Sequence, residues 1–121
     1  MATQDDVRRL ALALPEAEQN DEGFGFRVRG KQFAWTWHER VVQGKPRVPR
    51  PEVLVVRVAG QAGKDLLLAS DPDKFFTEPH YNGFPAVMVR LAAVDVAELG
   101  ELLTDAWRCQ APRTLVRSSG L

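Results

Sequence analysis

Eight basic residues fall within one stretch of this chain: Arg27, Arg29, Lys31, Arg40, Lys45, Arg47, Arg50 and Arg57. Residues 24–58 hold these eight and only two acidic side chains, a local net charge of +6, although the 121-residue chain is neutral as a whole. Arg and Lys at this density are suited to charge-assisted contact with phosphate oxygens, with affinity drawn from counterion release. The neighbouring segments are acidic, net −4 over residues 1–23 and net −5 over 59–107, while residues 108–121 carry +3. Such segmentation can steer a polyanion to one patch even when the total is zero. A solvated basic face is the plainer alternative.

Aromatic and polar residues offer a second chemistry. Phe33, Trp35 and Trp37 alternate along one run, and His80-Tyr81-Asn82-Gly83 reads as an ordered polar loop. Aromatics on one strand face ordinarily build core. Their functional reading is a stacking platform for bases, or, with His80 and Tyr81, a ligand or partner contact. His38 and His80 are the only histidines and Cys109 the only thiol, too few for a zinc site of nitrogen and sulfur ligands. Cys109 lies near an apolar helix stripe and reads as core or boundary packing. Gly23-Phe24-Gly25 precedes a strand instead of a helix, so it is not a dinucleotide fingerprint. Phosphate-loop, HExxH, CxxC and GxSxG patterns are absent. No catalytic residue, cofactor or metal ligand is assigned.

The elements that must position these residues follow from periodicity. Thr3 and Asp6 form a capping box for a helix with Val7, Leu10, Ala11 and Leu14 on one stripe, ended near Leu14 by Pro15. Glu16 to Gly23 is acidic and irregular, with room for one short extended segment. Phe24–Arg29 and Gln32–His38 alternate around Gly30 and predict a β-hairpin, with Phe33, Trp35 and Trp37 on one face. Glu39–Glu52 holds Pro46, Pro49 and Pro51 and reads as a long basic loop, because proline is excluded from central strands. Val53–Val58 is a β-branched strand. Gln61–Ser70 reads as a helix packing through Ala62, Leu66, Leu67 and Ala69.

Asp71-Pro72-Asp73 is a turn, and Ala86–Leu91 a strand with Val87, Val89 and Leu91 opposite Ala86, Met88 and Arg90. Asp95 caps a last helix whose stripe is Val96, Leu99, Leu102, Leu103, Ala106 and Trp107. Arg113–Leu121 reads as a frayed basic tail. Consecutive strands on short turns, with helices at both ends, predict one two-layer α+β domain over residues 1–121. Its sheet is mainly antiparallel, with helices on one face and the other face partly open, where Arg27, Arg29, Arg57 and Arg90 could point. The polar N-terminus, the lone cysteine and the lack of a long apolar run predict a cytoplasmic protein that does not enter membranes. Oligomeric state is not legible.

The runs LALALPEA, FGFRVRGKQFAW, DPDKFFTEPHYNGFPAVMVRL and ELLTDAWRCQAP, in that order, resemble the MmcQ/YjbR family from about Val7 to Pro112. The resemblance implies a CyaY-like fold, described as a double-wing arrangement, and a DNA-binding role with no catalytic motif. Frataxin-type proteins share that broad architecture and bind iron through an acidic ridge. Here the acidic residues are scattered, so iron binding does not carry over. The expectation is a non-enzymatic DNA-binding protein that contacts the phosphate backbone through its basic hairpin and loop. The alternative is a small-molecule or protein-interaction module using Trp35, Trp37, His80 and Tyr81.

Overall fold

Thr3 begins the first helix as expected: its hydroxyl accepts from the Asp6 N–H, and the Asp6 carboxylate accepts from the Thr3 N–H at 3.0 Å. The computed structural model describes all residues 1–121. The helix, α1 (Gln4–Leu12), stops two residues before Leu14, which is nonetheless buried. The irregular acidic segment holds one short strand, β1 (Ala17–Gln19). The predicted hairpin is β2 (Gly25–Val28) and β3 (Lys31–Glu39). Its turn residues Arg29 and Gly30 have φ of 50° and 80°, the left-handed pair whose twist matches that of the flanking strands.

The third long strand, β4 (Val48–Arg57), starts well before the predicted Val53. Pro49 and Pro51 lie inside it, which corrects the reading of Glu39–Glu52 as one loop. The proline argument fails here because β4 is central over only part of its length. From Leu54 to Val56 it pairs on both sides, Val53 and Arg57 pair with β6 alone, and Val48–Arg50 pair with β3 alone. Between Leu54, opposite Thr36, and Arg50, opposite Trp37, the register jumps, leaving Pro51, Glu52 and Val53 without partners in β3. Proline belongs at edges and bulges for want of an N–H.

After β4 come α2 (Gln61–Ser70), β5 (Phe75–Phe76), a 3-10 turn over Pro79–Tyr81, β6 (Ala86–Arg90), α3 (Val96–Gln110) and α4 (Arg113–Ser119). The six strands form one sheet in the order β1-β2-β3-β4-β6-β5, every neighbouring pair antiparallel. The residues after Pro112 are therefore a helix and not a frayed tail, with Leu115 and Val116 packed on the core.

The main core lies between one sheet face and the helices. It joins Val7 and Ala11 of α1, Phe26, Val28, Phe33, Leu54, Val56, Val87 and Val89 of the sheet, and Leu99, Leu103 and Trp107 of α3. Trp107 is completely buried, and its indole N–H donates to the Pro15 carbonyl at 3.0 Å, tying α3 to the segment after α1. Burying a ring of that size contributes up to about 5 kcal/mol by area. On α2 the packed residues are Leu67 and Leu68, with Leu66 73% exposed, so the stripe is rotated from the predicted one.

Strand β3 also departs from simple alternation. Gly25 and Phe26 face Trp35 and Ala34, but Arg27 faces Gln32, so Phe33 is an inserted bulge residue. Phe33 and Ala34 both enter the main core, and Trp35 and Trp37 fall on the opposite, helix-free face. The three aromatics do not share a face. No helix is long and apolar enough to cross a membrane.

Candidate functional site

Past Glu39 and before Val48 the β3–β4 hairpin carries its basic end, residues 40–47. Arg40 donates to the Lys45 carbonyl at 3.3 Å, and Arg47 donates to the His38 carbonyl at 3.0 Å. These are neutral acceptors, so the cationic charge of Arg40, Lys45 and Arg47 is balanced by no carboxylate; the nearest ion pair is Arg50 with Glu39, at 2.7 Å, at the hairpin base. Val41 and Val42 beside them are 56% and 55% exposed. His38 is exposed on the same hairpin, opposite Pro49.

The other predicted basic residues are not gathered there. Arg27 donates to the Gln19 carbonyl at 3.0 Å and to Asn20 Oδ1 at 2.9 Å, with Glu18 at 3.5 Å. Arg29 grips both carboxylate oxygens of Glu16, which lowers the Glu16 pKa and raises that of Arg29, chiefly through the hydrogen bonds between them. Arg57 lies over the Phe84 ring at 4.8 Å, and Lys31 is exposed near the far turn. Of the eight, Arg27, Arg29 and Arg50 are held by acidic side chains, a use of charge that local sequence cannot reveal. What the fold brings together is Arg40, Lys45 and Arg47.

The helix-free face holds the second set. Val53 and Val55 of β4 and Ala86 and Met88 of β6 form its floor, and Trp35, Trp37, Phe76 and Tyr81 lie half-buried upon it. Trp35 Nε1 donates to Tyr81 Oη at 3.1 Å, so these two polar groups satisfy each other. His80 is exposed with its ring edge-on to Tyr81 at 5.2 Å. The loop carrying them is tied to α2 by Lys64, only 2% exposed, whose Nζ donates to the Tyr81 carbonyl at 2.6 Å and the Phe84 carbonyl at 3.0 Å. Burial depresses the Lys64 pKa.

Trp37 differs from Trp35. Its ring meets Phe76 edge to face at 5.8 Å, and its Nε1 is buried with no acceptor. Arg90 stacks its guanidinium on the same Phe76 ring at 4.0 Å. Together with Glu52, Val53 and Ala92 these side chains line a cleft of about 380 Å³. A second hollow of about 490 Å³ lies between α2 and α3, where Cys109 sits half-buried with its thiol pKa pushed up, chiefly by burial.

Sequence reasoning missed Lys64, Glu52 and Phe76 as site elements. Lys64 had a signal: it stands three and four residues before Leu67 and Leu68, on the same helical stripe. Arg90 had one in its alternation with Ala86 and Met88. Glu52 had none, because a bulge sets its position.

Comparison with known proteins gives consistent relatives. A family model described as YjbR matches residues 12–109. "Uncharacterized protein Rv2570" of Mycobacterium tuberculosis (strain ATCC 25618 / H37Rv) is 40% identical over 125 residues, covering 98% of this chain and 95% of the relative. "Uncharacterized protein Mb2600" of Mycobacterium bovis matches with the same identity and coverage. Among solved structures, Deinococcus radiodurans protein DR2400, with a DUF419 domain, superposes with a TM-score of 0.67 at 22% identity, covering 100% of this chain and 90% of that one. That last likeness concerns the fold.

Proposed function

Starting from a chain that belongs to the YjbR family, we propose that it is a non-enzymatic nucleic-acid-binding protein that holds the phosphate backbone with its β3–β4 hairpin. One observation carries the reading: Arg40, Lys45 and Arg47 sit together on an exposed hairpin with no carboxylate to neutralise them. Elsewhere in the basic block, Arg27 and Arg29 are engaged by Glu18 and Glu16. A narrow two-stranded ribbon is a shape that a nucleic-acid groove or backbone admits. Val41 and Val42 at its end offer apolar contact to sugars and base edges. DNA is the partner this reading names, with contacts to phosphate and no base-specific readout from the hairpin itself.

Fluorescence anisotropy of labelled DNA at two salt concentrations tests this. Three phosphate contacts give a slope of log K against log salt of about −2 to −3. Replacing Arg40, Lys45 and Arg47 by Glu abolishes binding on this reading. Affinity that ignores salt, or survives the triple reversal, refutes it.

A further inference from the structure

We propose that the cleft between Trp37, Phe76 and Arg90 accepts an unpaired nucleobase, so that this protein prefers single-stranded nucleic acid to duplex. The proposal rests on the hairpin reading and specifies which form of nucleic acid it serves.

The cleft lies on the sheet face that carries no helix, and its volume of about 380 Å³ is within the range of small-ligand sites. Its walls suit a flat ring. Phe76 presents a face already stacked by the Arg90 guanidinium at 4.0 Å, and Trp37 stands edge-on to Phe76. Every base has a π-face, and bases stack on aromatic rings and on guanidinium planes.

The polar groups at the cleft also match a base edge. Trp37 Nε1 is a donor without an acceptor, and Glu52 is an exposed carboxylate whose nearest neighbours in the cleft are apolar or aromatic apart from Arg90. A base offers amino or ring N–H groups to Glu52, and a carbonyl oxygen to the Trp37 N–H once the indole, whose nitrogen is buried in the free protein, turns toward the cleft. The Trp37 indole N–H is one of four side-chain polar atoms in the chain that are buried without a partner. Buried polar atoms are seldom left so. The contrast within β3 sharpens the argument: Trp35 has its indole N–H satisfied by Tyr81, and Trp37 does not.

Position links cleft to hairpin. Trp37 precedes Arg40 by three residues, roughly 10 Å of extended chain, and lies opposite Arg50 in the ladder. A strand whose phosphates rest on the hairpin could turn its bases toward the cleft, whereas paired bases inside a duplex cannot enter it.

The test compares one labelled single-stranded oligonucleotide with its own duplex by anisotropy, using the wild type, Trp37→Leu and Arg90→Ala. Near-ultraviolet circular dichroism checks each variant's fold, and Arg90→Ala, at an exposed site, serves if Trp37→Leu unfolds. The expected result is single-strand affinity at least about tenfold above duplex affinity, and about a tenfold loss in each variant on the single strand alone. Quenching of tryptophan emission by the single strand is retained in Trp35→Phe and lost in Trp37→Leu. Equal affinity for the two forms, or single-strand binding untouched in the folded variants, overturns the cleft proposal; if the hairpin reversal still abolishes binding, the hairpin reading stands. Binding of neither form at low salt overturns both.

Discussion

Replacing Lys64 by Met isolates the device that holds the Tyr81–Phe84 loop against α2. Met keeps most of the aliphatic stem and removes the ammonium, with its bonds of 2.6 and 3.0 Å to the Tyr81 and Phe84 carbonyls. Neither carbonyl is stranded, since the Phe84 and Ala86 N–H groups donate to them at 3.0 and 2.8 Å. Two charge-assisted bonds contribute about 3 kcal/mol at the lower end of their range, and relief of the buried charge returns about 1 kcal/mol. The net loss is about 2 kcal/mol, or roughly 8 °C in Tm for a chain of this size. The pH dependence gives an independent sign. Burial lowers the folded pKa of Lys64 below the ordinary lysine value of 10.5, so between the two values the unfolded chain binds the extra proton. Stability therefore rises with pH in that window, and Lys64→Met loses the rise. Thermal melts at several pH values, read by near-ultraviolet circular dichroism, measure both effects. An unchanged or higher Tm in Lys64→Met would refute the claim that the ammonium holds the loop.

Three other outcomes are expected. Thr3→Ala removes the side-chain half of the α1 cap and lowers stability by about 1 kcal/mol, measured by urea unfolding with an unchanged m-value. Trp107→Phe loses the bond to the Pro15 carbonyl and leaves a small void in the core, which together lower stability by about 2 kcal/mol in the same assay. Cys109, whose thiol pKa is raised by burial, reacts with iodoacetamide at pH 8 more slowly in the native protein than in the urea-unfolded chain; equal rates would place the thiol in open solvent.

The elements built on regular periodicity were legible. The Thr3 capping box, the hairpin around Gly30, the span of α2 from Gln61 to Ser70, though not its buried stripe, and the alternation of Ala86–Leu91 each follow from a local rule that the tertiary structure respects. Two β-bulges were not. The insertion at Phe33 moves Trp35 and Trp37 to the helix-free face, and the jump after Thr36 lets β4 absorb Pro49 and Pro51. A one-residue register change reverses every later side chain, and nothing in single-sequence alternation announces it. The basic block was visible as charge, but its division was not. Glu16 and Glu18 reach Arg29 and Arg27 only because β1 lies beside β2. The Trp37 cleft depends on β6 lying between β4 and β5, which brings Phe76 and Arg90 to it through a crossover.

The prolines of β4 bear on how the molecule behaves among its own copies. The overhanging half of a two-stranded ribbon offers its free side to any extended chain, a second copy included. In that half Pro49 and Pro51 bring no N–H to any pairing, and the bulge at Pro51–Val53 interrupts the regular ladder. The hairpin can thus project into solvent, with apolar valines at its end, without becoming a seed for strand-to-strand aggregation. Substituting both prolines with Thr would restore two N–H groups to β4 and make this edge more prone to pairing with another copy.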